Sequence, residues 1–172
     1  MICQLISDLH LESHAYTLKV NPKADVVIIA GDFGPWVTCD SRINILLKQL
    51  NGATAVVVLG NHDYYKSTID GTHEFWTRLV EKFPNVKWLN NSSAKVGDTT
   101  FVGGTLWSNF TLFEPDITQE LAMRNALMGI TDFRVIWHEK DGQAGNRLMP
   151  ADLIPMHEAC CDAIANVVAK GE

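Results

Sequence analysis

Three short polar clusters close three apolar runs in the first third of the chain, and each offers donors that bind multivalent cations. Ile2 to Ser7 runs into Asp8-Leu9-His10, and Val26-Val27-Ile28-Ile29-Ala30 runs into Gly31-Asp32. Ala55-Val56-Val57-Val58 runs into Leu59-Gly60-Asn61-His62-Asp63. Carboxylate, imidazole and amide donors without a cysteine suit an open site for manganese, iron or zinc rather than a closed structural zinc. One Asp-x-His or Gly-Asp would mean little. Three clusters in order, each after a buried-type strand, point to one site, because ligands of open α/β sheets gather at the carboxyl ends of strands.

The elements that must carry these clusters can be read from hydropathy. Met1 to Ser7 is the first expected strand, after which Asp8 and His10 alternate with Leu9 and Leu11, so an extended backbone would turn the donors one way and the leucines the other. Glu12 and His14 extend the alternation and could be outer partners of the donors or plain surface, with surface preferred because the strand should end there. Ile43, Leu46, Leu47 and Leu50 mark an amphipathic helix between strands two and three, with Asp40 or Ser41 as its cap and Gly52 as its stop. A strand-helix-strand unit of this kind implies parallel strands and a right-handed crossover.

A second helix carries Phe75, Trp76, Leu79, Val80 and Phe83 on one face, with His73 near its start read as surface or cap. Val86 to Leu89 reads as a strand, and Ala94 to Val96 with Thr100 to Val102 as a hairpin across Gly97-Asp98 that makes the sheet mixed. A helix from Pro115 would cap the site, and Asp132 to Trp137 would return extended. Asp141 to Asn146 reads as a flexible loop. The last helix spans about Asp152 to Lys170, with Leu153, His157, Cys160, Ile164 and Val168 on one stripe; the adjacent Cys160 and Cys161 could be redox-reactive, but burial in the helix is the preferred reading. Trp36, Tyr64, Tyr65 and Trp107 lie near the donor loops in sequence, where aromatic faces could stack on a base.

Composition sets outer limits. A chain of 172 residues with 47% hydrophobic content can bury a sizeable core. A formal net charge of -6 argues against docking on nucleic acid or an anionic membrane, which needs clustered Lys and Arg. Phosphate recognition would have to come from a bound cation. The four cysteines show no metal spacing and no disulfide framework, and no apolar run approaches the roughly 20 residues of a membrane helix. The expectation is a soluble cytoplasmic α/β protein without a membrane partner.

Asp8-Leu9-His10, Gly31-Asp32 and Gly60-Asn61-His62-Asp63 together resemble the motif set of the calcineurin-like metallophosphoesterase superfamily. Ser7 to Glu12, Gly104-Thr105-Leu106-Trp107 and Thr131-Asp132-Phe133-Arg134 further resemble its small bacterial phosphoesterases. The resemblance implies an α/β fold, an αββα sandwich with mixed sheets, and two divalent ions. Carried over by motif, Asp8 and His10 hold the first ion, Asp32 bridges, and Asn61 reaches the second. His62 would protonate or hydrogen-bond the leaving or non-bridging oxygen, with Asp63 orienting the loop. No Arg follows Gly31-Asp32 closely, which counts against a phosphoserine phosphatase.

The family's further strand-end His and Gly-His-x-His are absent from these 172 residues. The reading is therefore of residues 1–172 as the N-terminal portion of one domain, incomplete relative to the family and holding one ion or none if not two. The implied function is hydrolysis of a small phosphomonoester or phosphodiester, a nucleotide among the candidates, by metal-hydroxide attack. The alternative is a catalytically incomplete metal-binding or interaction protein that works through homo-oligomerisation across an exposed sheet edge.

Overall fold

In the computed structural model, residues 1–112, 115–140 and 143–171 are described. The first half alternates: β1 (Cys3–Ile6), β2 (Val26–Ala30), α1 (Trp36–Lys48), β3 (Ala55–Val58), a 3-10 turn (Asn61–Tyr64), β4 (Ser67–Thr68), α2 (Ile69–Val80) and β5 (Val86–Trp88). The second half follows with β6 (Ser92–Val96), β7 (Thr99–Gly103), α3 (Gln119–Gly129), α4 (Asp132–Val135), β8 (Ile136–Lys140), β9 (Gln143–Arg147) and α5 (Pro150–Lys170).

The β-branched runs form one parallel sheet in the order β1-β2-β3-β5. Strands added always on the same side, each by a crossover of the same hand, put their helices on the same face. Val27, Ile29, Ala55, Val57 and Val86 accordingly pack with Cys39, Ile43, Leu46 and Leu47 of α1 and Ile69, Trp76 and Leu79 of α2. The alternate residues Val26, Ile28, Val56 and Val58 face the other way, onto Ala94, Val96 and Phe101. Those belong to the β6–β7 hairpin, which forms its own two-stranded antiparallel sheet. The mixed pairing expected of the main sheet is therefore found elsewhere: β8 pairs in parallel with β4 and antiparallel with β9. β1 lies at the edge of the parallel sheet, with Met1, Ile2 and Leu5 exposed.

Several boundaries differ from the sequence reading. Helix α1 starts at Trp36, ahead of the expected cap at Asp40 or Ser41, because Pro35 enters with φ -57 and its carbonyl accepts the N–H groups of Thr38 and Cys39. Asp40 instead accepts a bond from Asn44 one turn on. Thr68 caps α2 by accepting the Gly71 N–H at 3.0 Å. Asp132 to Trp137 is one turn of helix followed by the start of β8, not an extended segment.

Residues 143–147, read as loop, form β9. β9 pairs with β8 through residues 143, 144 and 147, and Gly145 and Asn146, poor strand formers, fall where that register shifts. Residues 141 and 142 of that expected loop lie outside the described residues. Gly171 closes α5 in the left-handed conformation at φ 67. No helix among the described residues is long and apolar enough to cross a membrane.

Candidate metal centre

After β1 the chain does not stay extended, as the alternation of donors and leucines suggested. Asp8 and His10 both take positive φ, 54° and 42°. The alternation survives in burial: Leu9 and Leu11 are in the core, Asp8 is exposed and His10 half-buried. The N–H groups of Asp8, His10 and Leu11 donate to the carbonyls of Gly31, Asp32 and Phe33 at 3.2, 2.9 and 2.7 Å, zipping the first loop to the second. Asp32 is left-handed as well, at φ 56. Such backbone costs about 1–3 kcal/mol per residue and collects where function holds it. Here it turns donor side chains toward a common point.

The second and third loops meet backbone to backbone. A Cβ on Gly31, whose φ is +87, would lie 2.6 Å from the Gly60 nitrogen. One on Gly60 would lie 2.1 Å from Asp32 Oδ1. Both glycines are required by this contact, since no side chain fits between the loops.

His10, Asp32 and His62 come together so that one ligand atom from each lies within 4.8 Å of the others. His10 Nε2 is 3.9 Å from Asp32 Oδ2, and the two imidazoles meet edge to face at 4.4 Å. Glu12 Oε1 sits behind both rings, 3.2 Å from Nδ1 of His10 and 3.2 Å from Nδ1 of His62. A carboxylate only accepts, so each Nδ1 donates toward Glu12, and in the neutral ring that leaves the lone pair on Nε2. That is the tautomer a ligating imidazole needs. Burial alone would raise the Glu12 carboxyl, yet its own backbone N–H and the two histidines hold it below the usual range.

Asp32 also anchors the third loop, its Oδ1 accepting the His62 N–H at 3.0 Å. Asn61 donates its amide N–H₂ to Asp132 Oδ1 at 2.8 Å and to the Tyr65 hydroxyl at 3.2 Å. Tyr65 in turn donates to Asp132 at 2.7 Å and stacks on His62 at 4.2 Å. With its nitrogen pinned by an acceptor-only carboxylate, Asn61 turns its carbonyl oxygen the other way, free for a cation or substrate. Burial and the Asp132 carboxylate push the Tyr65 hydroxyl above its ordinary range, so it stays a donor.

Asp63 is fully buried and accepts three backbone N–H groups, from Asp32 and Gly34 at 3.0 Å and from Gly60 at 2.8 Å. It holds loops two and three in register. Burial pushes its carboxyl up to about 8, with the Gly60 N–H pulling the other way and the nearby Asp32 adding to the rise.

The remaining sequence-nominated residues are placed as follows. Asp8 is outside the close donor group, and His62, expected as a proton donor beside the second ion, is inside it. Tyr64 is a core residue, its hydroxyl shared between His73 and Thr105 at 3.0 Å each, so it is not open to a substrate. His73 is thus a half-buried partner of Tyr64 rather than a surface or cap residue. Trp36 stacks on Phe75 and donates to Ser67. Trp107 packs on Tyr64 and lines a cleft of about 390 Å³ that also touches Gly60, Asn61 and Asp132. Leu106, Phe110, Ile130 and Phe133 are on its apolar side, as are Leu59 and Leu153, and no Lys or Arg lines it among the described residues.

A family model for calcineurin-like phosphoesterases matches residues 5–153. The chain belongs to the calcineurin-like phosphoesterase family. It is also 29% identical over 131 residues to an uncharacterized protein of Acanthamoeba polyphaga mimivirus, an alignment covering 64% of this chain. The chain spans less than half, 45%, of that relative's length.

Within this calcineurin-like phosphoesterase, two further polar residues belong to the centre, Glu12 and Asp132. The sequence leaves Glu12 between an outer partner of the donors and a surface residue, with surface preferred because the strand should end there; the structure places its carboxylate against both imidazoles, after left-handed turns at Asp8 and His10. Asp132 lies 71 positions from the Asn61 it holds, and its only signal was the Thr131 to Arg134 stretch. Glu12→Gln should weaken divalent-cation binding by about 10–100-fold, as loss of an outer partner of metal-binding imidazoles does. Calorimetric titration of wild type and variant with Mn²⁺ or Zn²⁺ checks this, and equal affinities would remove Glu12 from the centre.

Proposed function

We propose that this chain is the metal-binding portion of a hydrolase that cleaves phosphomonoesters or phosphodiesters, with a neutral, ring-containing group on the ester. The observation that carries the reading is the close His10, Asp32 and His62 donor group with Glu12 fixing both imidazole tautomers. The donor set fits the group: two imidazoles and one carboxylate, no thiolate, and left-handed backbone at two of the three.

His10, Asp32 and His62 would hold one divalent ion, and the Asn61 carbonyl oxygen is the donor offered to a second. A bound divalent cation supplies charge neutralisation on phosphoryl oxygens and a water acidified toward neutral pH. The chain's own residues do the rest. Glu12 keeps a proton on each Nδ1. Asp132 and Tyr65 stop the Asn61 amide from flipping, and stacking on Tyr65 limits rotation of His62. Trp107 and Phe110 offer the organic part of the ester an apolar wall. Among the described residues no cationic side chain lines the cleft, which supports dependence on the ion for phosphate binding.

The test uses the purified chain with Mn²⁺ or Zn²⁺ and two chromogenic esters, nitrophenyl phosphate and bis-nitrophenyl phosphate. Cleavage of at least one that rises with added ion and disappears with chelator is expected. Cleavage that persists in chelator would overturn the reading, as would the absence of any cation binding by calorimetry.

A further inference from the structure

Away from the metal centre, helix α5 carries a thiol and an imidazole one turn apart. Cys161 is exposed, and its Sγ lies 3.3 Å from Nε2 of His157. The other ring nitrogen, Nδ1, lies 2.6 Å from the backbone carbonyl oxygen of Trp107. A carbonyl oxygen can only accept, so Nδ1 holds the proton and donates it, and Nε2 presents its lone pair to the thiol. Nucleophile, base and orienting acceptor stand in one row, the arrangement that activates a thiol when solvent can reach it. The chain supplies two contrasts. Cys160, next in sequence, is buried, and burial pushes its thiol up. Cys3 is exposed like Cys161 but has no imidazole bonded to it among the described residues.

We propose that Cys161 is a nucleophilic thiol, served by His157 as its base, that exchanges with small disulfides. The proton passes from Sγ to His157 Nε2, and Sγ attacks one sulfur of the disulfide. The S–S bond of the small molecule breaks as the new one to Cys161 forms. The departing thiolate takes the proton back from His157. One disulfide and one thiol enter, one mixed disulfide and one small thiol leave, and no other oxidant is consumed. This site is distinct from the metal centre but attached to the cleft wall through the Trp107 carbonyl.

The full chain is incubated with glutathione disulfide at neutral pH, and adducts are located by digestion and mass spectrometry. Cys161 is expected to take up glutathione about tenfold faster than Cys3 in the same molecule. His157→Gln keeps a hydrogen-bond acceptor beside the thiol but cannot take up a proton, and should bring Cys161 down to the Cys3 rate. The comparison with Cys3 needs no variant, so it stands even if His157→Gln folds poorly. Equal rates at the two cysteines, no reaction at either, or a folded His157→Gln variant that reacts as fast as wild type would each overturn the proposal.

Discussion

Asp32→Ala is expected to abolish cation-dependent phosphoester cleavage, a loss on the order of 10³-fold or more. The side chain does two jobs at once. Oδ2 lies 3.9 Å from Nε2 of His10 within the donor group, and Oδ1 accepts the His62 N–H that fixes the third loop. Alanine removes the anionic donor and releases the loop that carries Asn61 and His62. Asp32→Asn separates the two effects: its amide oxygen can still accept from His62, but the negative charge is gone. If charge at the ion is what matters, the asparagine variant keeps its melting temperature close to wild type while cation affinity and turnover both fall. A folded Asp32→Ala protein that still bound Mn²⁺ with wild-type affinity would remove Asp32 from the donor group.

The largest expected effect on stability is at the neighbouring carboxylate. Asp63→Ala should destabilise the fold by about 3–5 kcal/mol, measured by urea denaturation. The alanine leaves the N–H groups of Asp32, Gly34 and Gly60 without an acceptor in a site closed to water, and each such donor costs about 1–3 kcal/mol. Asp63→Asn should lie between: its one carbonyl oxygen can serve part of the set, while its N–H₂ would face donors. A loss under about 1 kcal/mol for the alanine variant would mean that water replaces the carboxylate and that the loops are not held by it.

How much of this was readable in the amino-acid string depends on how local the cause is. The runs Val26–Ala30 and Ala55–Val58 were legible because β-branched residues buried on both faces leave no other reading. Asp32, His10 and His62 were legible because donors repeated at successive strand ends have to converge in a parallel sheet. Glu12 was legible only as one of two readings, outer partner or surface, since its final position follows two left-handed residues, a conformation that composition does not announce.

Tyr64 and Tyr65 make the same point at shorter range. They are adjacent and chemically alike, yet the 3-10 turn sends the first into the core and the second onto His62. Cys160 and Cys161, both expected to be buried, divide in the same manner on α5. The hairpin β8–β9 is hidden for another reason: Gly145 and Asn146 interrupt any strand pattern, and they sit at an irregularity of the pairing that residues 143, 144 and 147 make with β8.

The abutment of Gly31 and Gly60 also determines where a chain like this can vary. Two backbones in contact leave no tolerance for an added methyl, so descendants of this sequence are confined to glycine at both places whatever ester they come to use. The Leu106 to Phe110 wall is under no such restriction, being apolar, partly open and outside the zippered loops. New substrate preferences should therefore arise by exchange of side chains along that wall, with the ion-holding loops inherited unaltered.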